Sequence, residues 1–219
     1  MAALIFFDIN GTLIKRDSRT DLPYQKALDI LLNAENSLEG VDTSARSDQD
    51  VFMEVLANYN ETYSEEKWQQ FLNFYETQLQ LFMSTDVWRN NVDAVEFIQK
   101  LSTTDHKLSL ITGELSIGAQ YKLEKIGVWK YFPVGGFGED GLRRFDIAEE
   151  ALKKANAYYG DDYDEIYIIG DTLLDIKTAR HLGARIISIT TGSNTRNELE
   201  TLSPDYIIDK FNEIEKLFL

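Results

Sequence analysis

Ala3-Leu4-Ile5-Phe6-Phe7-Asp8-Ile9-Asn10-Gly11-Thr12 is an apolar run that stops at a carboxylate and then a glycine. Five apolar residues without alternation predict a strand buried on both faces, as in a parallel sheet. Similar short runs recur at 107–112 (KLSLIT), 166–169 (IYII), 185–190 (RIISIT) and 206–208 (YII). Helical spacings separate most of them, over 92–101, 115–126, 146–158 and 176–182. Strand–helix alternation of this kind predicts an α/β fold, a Rossmann-like doubly wound parallel sheet.

The stretch from about 21 to 83 has a different texture and shows no strand pattern. Leu22, Ala27, Ile30 and Leu31 recur at helical spacing, as do Val51, Phe52, Val55 and Leu56, with Asp48 as the expected N-cap. A longer stripe, Trp68, Phe71, Leu72, Tyr75, Leu79 and Phe82, follows Ser64 as cap and reads as the core of this segment. We expect an inserted all-helical cap domain at 15–87 and a core made of 1–14 and 88–219, with hinges near 13–17 and 85–91.

At 219 residues the chain suits one large domain or a domain with an insertion. Without Cys it has no disulfide and no thiolate metal site. The net charge of −15 argues against nucleic acid as partner, because phosphate backbones need a basic face. No apolar run reaches the roughly 18–20 residues of a membrane span, so no membrane partner is expected. Residues 1–7 are too short and too poor in base for a secretory signal, which makes the cytoplasm the expected location.

Ligands of open α/β sheets bind at the carboxyl ends of strands, where Asp8 falls. A buried carboxylate there needs a partner or a metal, although a loop Asp capping a helix reads the same way. A second acidic pair, Asp171 and Asp175, follows the run 166–169. On one helix face the two would repel unless a cation lay between them; an N-cap with an acidic first turn is the alternative. Thr112 and Gly113 end another strand and suit either a phosphate clamp or a plain cap. Arg143 and Arg144 precede a helix, where an arginine pair is usually solvated.

Taken together, the four segments resemble the haloacid dehalogenase-like hydrolase superfamily. They stand in its order: DxNGT, T-G after a strand, a basic residue before a helix, and GDTxxD. Within it the chain is similar to the phosphoglycolate-phosphatase-type branch, through ARSDQDV in the cap, FGEDGLRRFDI, ARHLGARIISITTG and SPDYIID. The resemblance implies a Mg²⁺-dependent phosphohydrolase acting on a small phosphomonoester, as a monomer or homodimer. Asp8 would be the nucleophile and form an aspartyl-phosphate. Mg²⁺ would sit on Asp8, the Asn10 carbonyl and Asp171, with Asp175 holding the site. Thr112 and the Gly113 N–H would hold a phosphoryl oxygen beside Gly11 and Thr12. Arg144 would neutralise developing charge, with Lys153 and Lys154 as substitutes. Arg46 is a candidate for a substrate anion, and Lys15, Arg16 and Arg19 for local positive potential. His106 and His181 receive no role.

One departure from the family pattern matters. The position two residues after the nucleophile normally carries Asp and here carries Asn10. An amide cannot act as general acid or base near neutral pH, and losing that help costs about 10²–10⁴ in rate. Four readings fit: a substitution that slows turnover, a slow phosphatase for a good leaving group, a non-catalytic phosphate-ligand binder, or other family chemistry. The last includes haloacid dehalogenation and phosphonate cleavage, which would use a cap lysine such as Lys26 or Lys67. On this reading Asn10→Asp should speed hydrolysis, and Asp8→Asn should abolish it.

Overall fold

The computed structural model describes residues 2–219. In chain order it contains β1 (Ala3–Phe7), α1 (Leu22–Leu32), α2 (Asp48–Asn58), α3 (Glu65–Phe82), α4 (Ala94–Leu101), β2 (Lys107–Ile111), α5 (Ser116–Lys125) and β3 (Gly135–Gly136). There follow α6 (Arg144–Tyr159), β4 (Glu165–Gly170), α7 (Leu173–Leu182), β5 (Arg185–Ile189), α8 (Arg196–Glu200), β6 (Tyr206–Ile208) and α9 (Glu215–Phe218). The six strands form one sheet in the order β3-β2-β1-β4-β5-β6, every pair parallel. The doubly wound α/β core with a helical cap is thus the fold the alternation predicts.

Alternating side chains of β1 divide the interior. Ala3, Ile5 and Phe7 join the core on one face, with Phe97, Leu101, Leu123 and Phe211. Leu4 and Phe6 join the other, with Ile147, Ala148, Ala151, Ile176 and Ala179 of α6 and α7. The alanines let α6 lie close to the sheet. A Cβ on Gly136 would stand 2.6 Å from that of Ala151, so the edge strand β3 needs glycine there.

Between β1 and α4 the chain is helical and without strands. Its interior is aromatic: Phe52 meets Trp68 and Phe71 at 4.9 Å between ring centroids, and Tyr24 meets Phe71 edge-on at 4.9 Å. Ser64 caps α3 by accepting from Lys67 N at 3.2 Å, as expected. For α2 the cap is Ser47, which accepts from Asp50 N at 3.1 Å, and not Asp48. Asp48 is the first helical residue and turns its carboxylate to the Leu115 N–H at 2.9 Å, tying the cap to the core. The two crossings into this segment run side by side: Lys15 N donates to Arg89 O at 2.8 Å and Asn91 N to Leu13 O at 2.9 Å.

Candidate active site

The tips of β1, β2 and β4 meet at one edge of the sheet. The Asp8 N–H donates to Ile169 O at 2.9 Å, so the ladder to β4 persists up to the carboxylate. The chain then turns at Gly11, whose φ of +94° side chains disfavour. Its carbonyl accepts from Thr191 Oγ1 at 2.7 Å and Asn91 Nδ2 at 3.0 Å, which fixes the loop. Thr12 is buried and donates to Asp171 Oδ1 at 3.2 Å. Gly11 and Thr12, expected to touch substrate, therefore shape the loop behind the cavity and do not line it.

Asp171 is fully buried, and the Ser193 N–H donates to its Oδ2 at 2.6 Å. A Cβ on Gly11 would come within 2.5 Å of that carboxylate, and one on Gly192 would collide with it outright. Helix α7 begins only at Leu173, so Asp171 and Asp175 do not meet through helical spacing; the strand end presents the first and the helix the second. Asp175 is a capping-box residue, with Thr172 N and Oγ1 donating to its Oδ2 at 3.1 and 2.7 Å. It also faces the site, because Arg144 Nη2 lies 2.6 Å from its Oδ1 and 2.8 Å from Asp8 Oδ1.

Arg144 is the basic residue the structure brings in. Its Nε is buried with no hydrogen-bond partner, so the guanidinium has capacity left for an anion. Arg143 points outward to Asp146, while Lys153 and Lys154 pair with Glu150 and Asp140. Of the hinge cations only Arg16 reaches the cavity wall; Lys15 and Arg19 are exposed. Arg46 lines the cavity, but its guanidinium is held by Asp50, Glu54 and the Asp42 carbonyl. Lys26 and Lys67 pair with Asp29 and Glu61 away from the cavity, which removes the two cap lysines considered for phosphonate cleavage. His106 accepts from Ala3 N at 3.0 Å and His181 meets Glu149, so both are structural.

Thr112 and Gly113 form the third wall. Thr112 Oγ1 accepts from Glu114 N at 3.2 Å, and Gly113 O accepts from Asp48 N at 2.7 Å. A Cβ on Gly113 would strike the Arg46 carbonyl, so glycine lets the cap approach.

Two residues without any sequence motif complete the cavity. Glu114 and Lys122 are 4% and 3% exposed and form an ion pair of 2.6 Å. Both grip the amide of Asn10: Nδ2 donates to Glu114 Oε2 at 3.1 Å, and Oδ1 accepts from Lys122 Nζ at 3.1 Å. Tyr75 of α3 donates to Glu114 Oε1 at 3.3 Å. The cavity encloses about 50 Å³, enough for a few waters or a small anion.

Electrostatics at the centre are unbalanced. Burial pushes the Asp8 carboxyl up to about 8, against the pull of Arg144, with Asp175 and Asp171 adding to the rise. Burial and Asp175 push Asp171 up to about 6. Asp8 and Asp175 share the Arg144 guanidinium, and Asp171 lies close enough to raise Asp8 further, a negative excess that a divalent cation would offset. Among the described residues no group of three or more His, Asp or Glu side chains is arranged to hold a metal. Asp8 and Asn10 line the cavity, whereas Asp171 lies behind it with Oδ1 held by Thr12 and Oδ2 by the Ser193 N–H; their carboxylate and backbone oxygens are hard donors of the kind Mg²⁺ prefers. Asp8 Oδ2 and the Asn10 carbonyl take no part in the hydrogen bonds around them.

The sequence profile of the haloacid dehalogenase-like hydrolases matches residues 5–180, and a second, HAD-hydrolase-like profile matches 147–214. The chain is a haloacid dehalogenase-like hydrolase. Among relatives of this hydrolase, pyrophosphatase PpaX of Bacillus cereus is 22% identical over 221 residues, covering 96% of this chain and 93% of that protein. A phosphoglycolate phosphatase of Agrobacterium fabrum is 31% identical over 117 residues, 53% of this chain and 49% of that protein. In three dimensions the hydrolase is similar to a hydrolase from Pseudomonas syringae, with a TM-score of 0.72 at 17% identity over 97% of this chain and 96% of the other. That likeness shows the shared fold. Among the described residues no helix of the hydrolase is long and apolar enough to cross a membrane.

Proposed function

We propose that the hydrolase transfers a phosphoryl group from a small phosphorylated compound to Asp8 and then to water, with Mg²⁺ as cofactor. The observation that carries this reading is Asp8 at the end of β1, held by Arg144 at 2.8 Å and crowded by two further carboxylates. Phosphatases and pyrophosphatases among the relatives support it.

Asp8, the Asn10 carbonyl and Asp171 would hold the metal, and Asp175 would steady the site through Arg144. When bound, Mg²⁺ supplies positive charge that lowers the Asp8 pKa and screens it from an incoming phosphoryl group. Asp8 Oδ2 is left free to attack phosphorus. Arg144, with its unpartnered Nε, takes the equatorial oxygens that gain charge. The Gly113 N–H and Thr112 hydroxyl would orient the phosphoryl group in line. Segment 15–87 acts as the cap, excluding water and lining the leaving-group side through Tyr24, Asp48 and Tyr75.

The test is phosphate release from p-nitrophenyl phosphate with and without Mg²⁺, for the natural protein and for Asp8→Asn and Asp171→Asn. We expect Mg²⁺-dependent release and its loss in both variants. Full activity in Asp8→Asn would remove the nucleophile from this account.

A further inference from the structure

Asn10 is not a loose replacement for a carboxylate, because its surroundings suit an amide. Glu114 needs a donor and Lys122 needs an acceptor, and the Asn10 side chain supplies one to each at 3.1 Å. An aspartate here would set carboxylate against carboxylate across the same gap. The other acids lining the cavity also accept hydrogen bonds, Asp21 from Thr43 Oγ1 at 2.9 Å. Glu114 carries Lys122, Tyr75 and Asn10; Asp175 carries Arg144 and Thr172; the Oδ2 of Asp48 takes the Leu115 N–H at 2.9 Å. No carboxyl at position 10 stands ready to protonate a departing oxygen.

We propose that Glu114 and Lys122 are positioning residues that lock Asn10 as an amide, and that the substrate is a phosphoryl anhydride, an acyl phosphate or a phosphoanhydride, instead of an alkyl phosphate. This rests on the phosphatase reading. Asp8 forms its O–P bond as the anhydride P–O bond breaks, and the electron pair leaves on a carboxylate or phosphate oxygen that needs no proton. Water then attacks phosphorus, the Asp8 O–P bond breaks, and both water protons leave on the released phosphate. An alkoxide leaving group would need a proton that position 10 cannot supply, a handicap of about 10²–10⁴.

The experiment measures kcat/KM with Mg²⁺ for acetyl phosphate, p-nitrophenyl phosphate and glycerol 3-phosphate. The natural protein should follow that order, with glycerol 3-phosphate at least about 10² below acetyl phosphate. The double variant Asn10→Asp/Glu114→Gln gives the new carboxylate an amide neighbour. It should hydrolyse glycerol 3-phosphate at least about tenfold faster than Asn10→Asp alone and narrow the spread between substrates. A merely structural Glu114 would not give that gain. Glycerol 3-phosphate turned over within about tenfold of acetyl phosphate by the natural protein overturns the proposal, and loss of that activity in Asp48→Asn would move the proton source to the cap. No turnover of any of the three overturns the phosphatase reading itself.

Discussion

Asp8 is charged only at a cost in the metal-free chain. Its carboxyl is raised to about 8 by burial first and by Asp175 and Asp171 next, and Asp171 is raised to about 6 with the same sign. Between the unfolded value of 3.8 and about 8 the folded chain keeps a proton that the unfolded chain has lost. The folded state therefore binds more protons there, and rising pH destabilises it across that window. Below the window the penalty is absent; above it the penalty is complete. We expect Asp8→Asn, which cannot ionise, to melt progressively higher relative to the natural protein as pH rises from about 5 to about 8 without metal. Mg²⁺ should narrow the difference. A difference in Tm that is flat with pH would show that Asp8 is ionised throughout.

Hydrogen bonds at the start of α2 join cap and core: Asp48 N donates to Gly113 O and the Leu115 N–H to Asp48 Oδ2. Ser47 caps α2, and the same hydroxyl donates to Leu142 O at 3.2 Å across the cleft. Ser47→Ala should cost about 1 kcal/mol from the lost cap, which lowers the Tm of a chain this size by about 2–4 °C. An unchanged Tm in differential scanning would mean that α2 frays before the cooperative transition. The sequence reading places the N-cap one residue late, at Asp48, because Ser47 and Asp48 are both good N-caps and only the turn geometry separates them. Five of the six strands are legible as apolar runs. The sixth, β3, is two glycines at the sheet edge, and no periodicity exists in two residues. Its identity depends on α6 lying so close, a tertiary fact.

Across the whole molecule, motif residues that follow strands were legible because a carboxylate or glycine ending a buried run is locally conspicuous. Asp8, Arg144 and Asp175 meet directly, and Asp171 joins them through its charge. Glu114 and Lys122 were not legible. Lys122 stands in the last turn of α5, where a lysine usually complements the helix dipole, and Glu114 sits in an ordinary polar loop. Asn91 was hidden in the return hinge, though its side chain braces the loop after β1 at Gly11 and Thr12. Each acts through a contact more than 70 residues away or across the α5 turn, and such contacts leave no periodic trace in the chain. The −15 charge gains meaning at this scale too, because Arg144, together with the proposed Mg²⁺, would have to outweigh a repulsive field at the cavity.

The most direct measurement is to quench the protein in acid during turnover of ³²P-labelled acetyl phosphate with Mg²⁺ and map the label by peptide sequencing. The account predicts label on the peptide carrying Asp8, lost when Asp8 is replaced by Asn. Label on any other residue, or phosphate released with no labelled protein at any time during turnover, would contradict it.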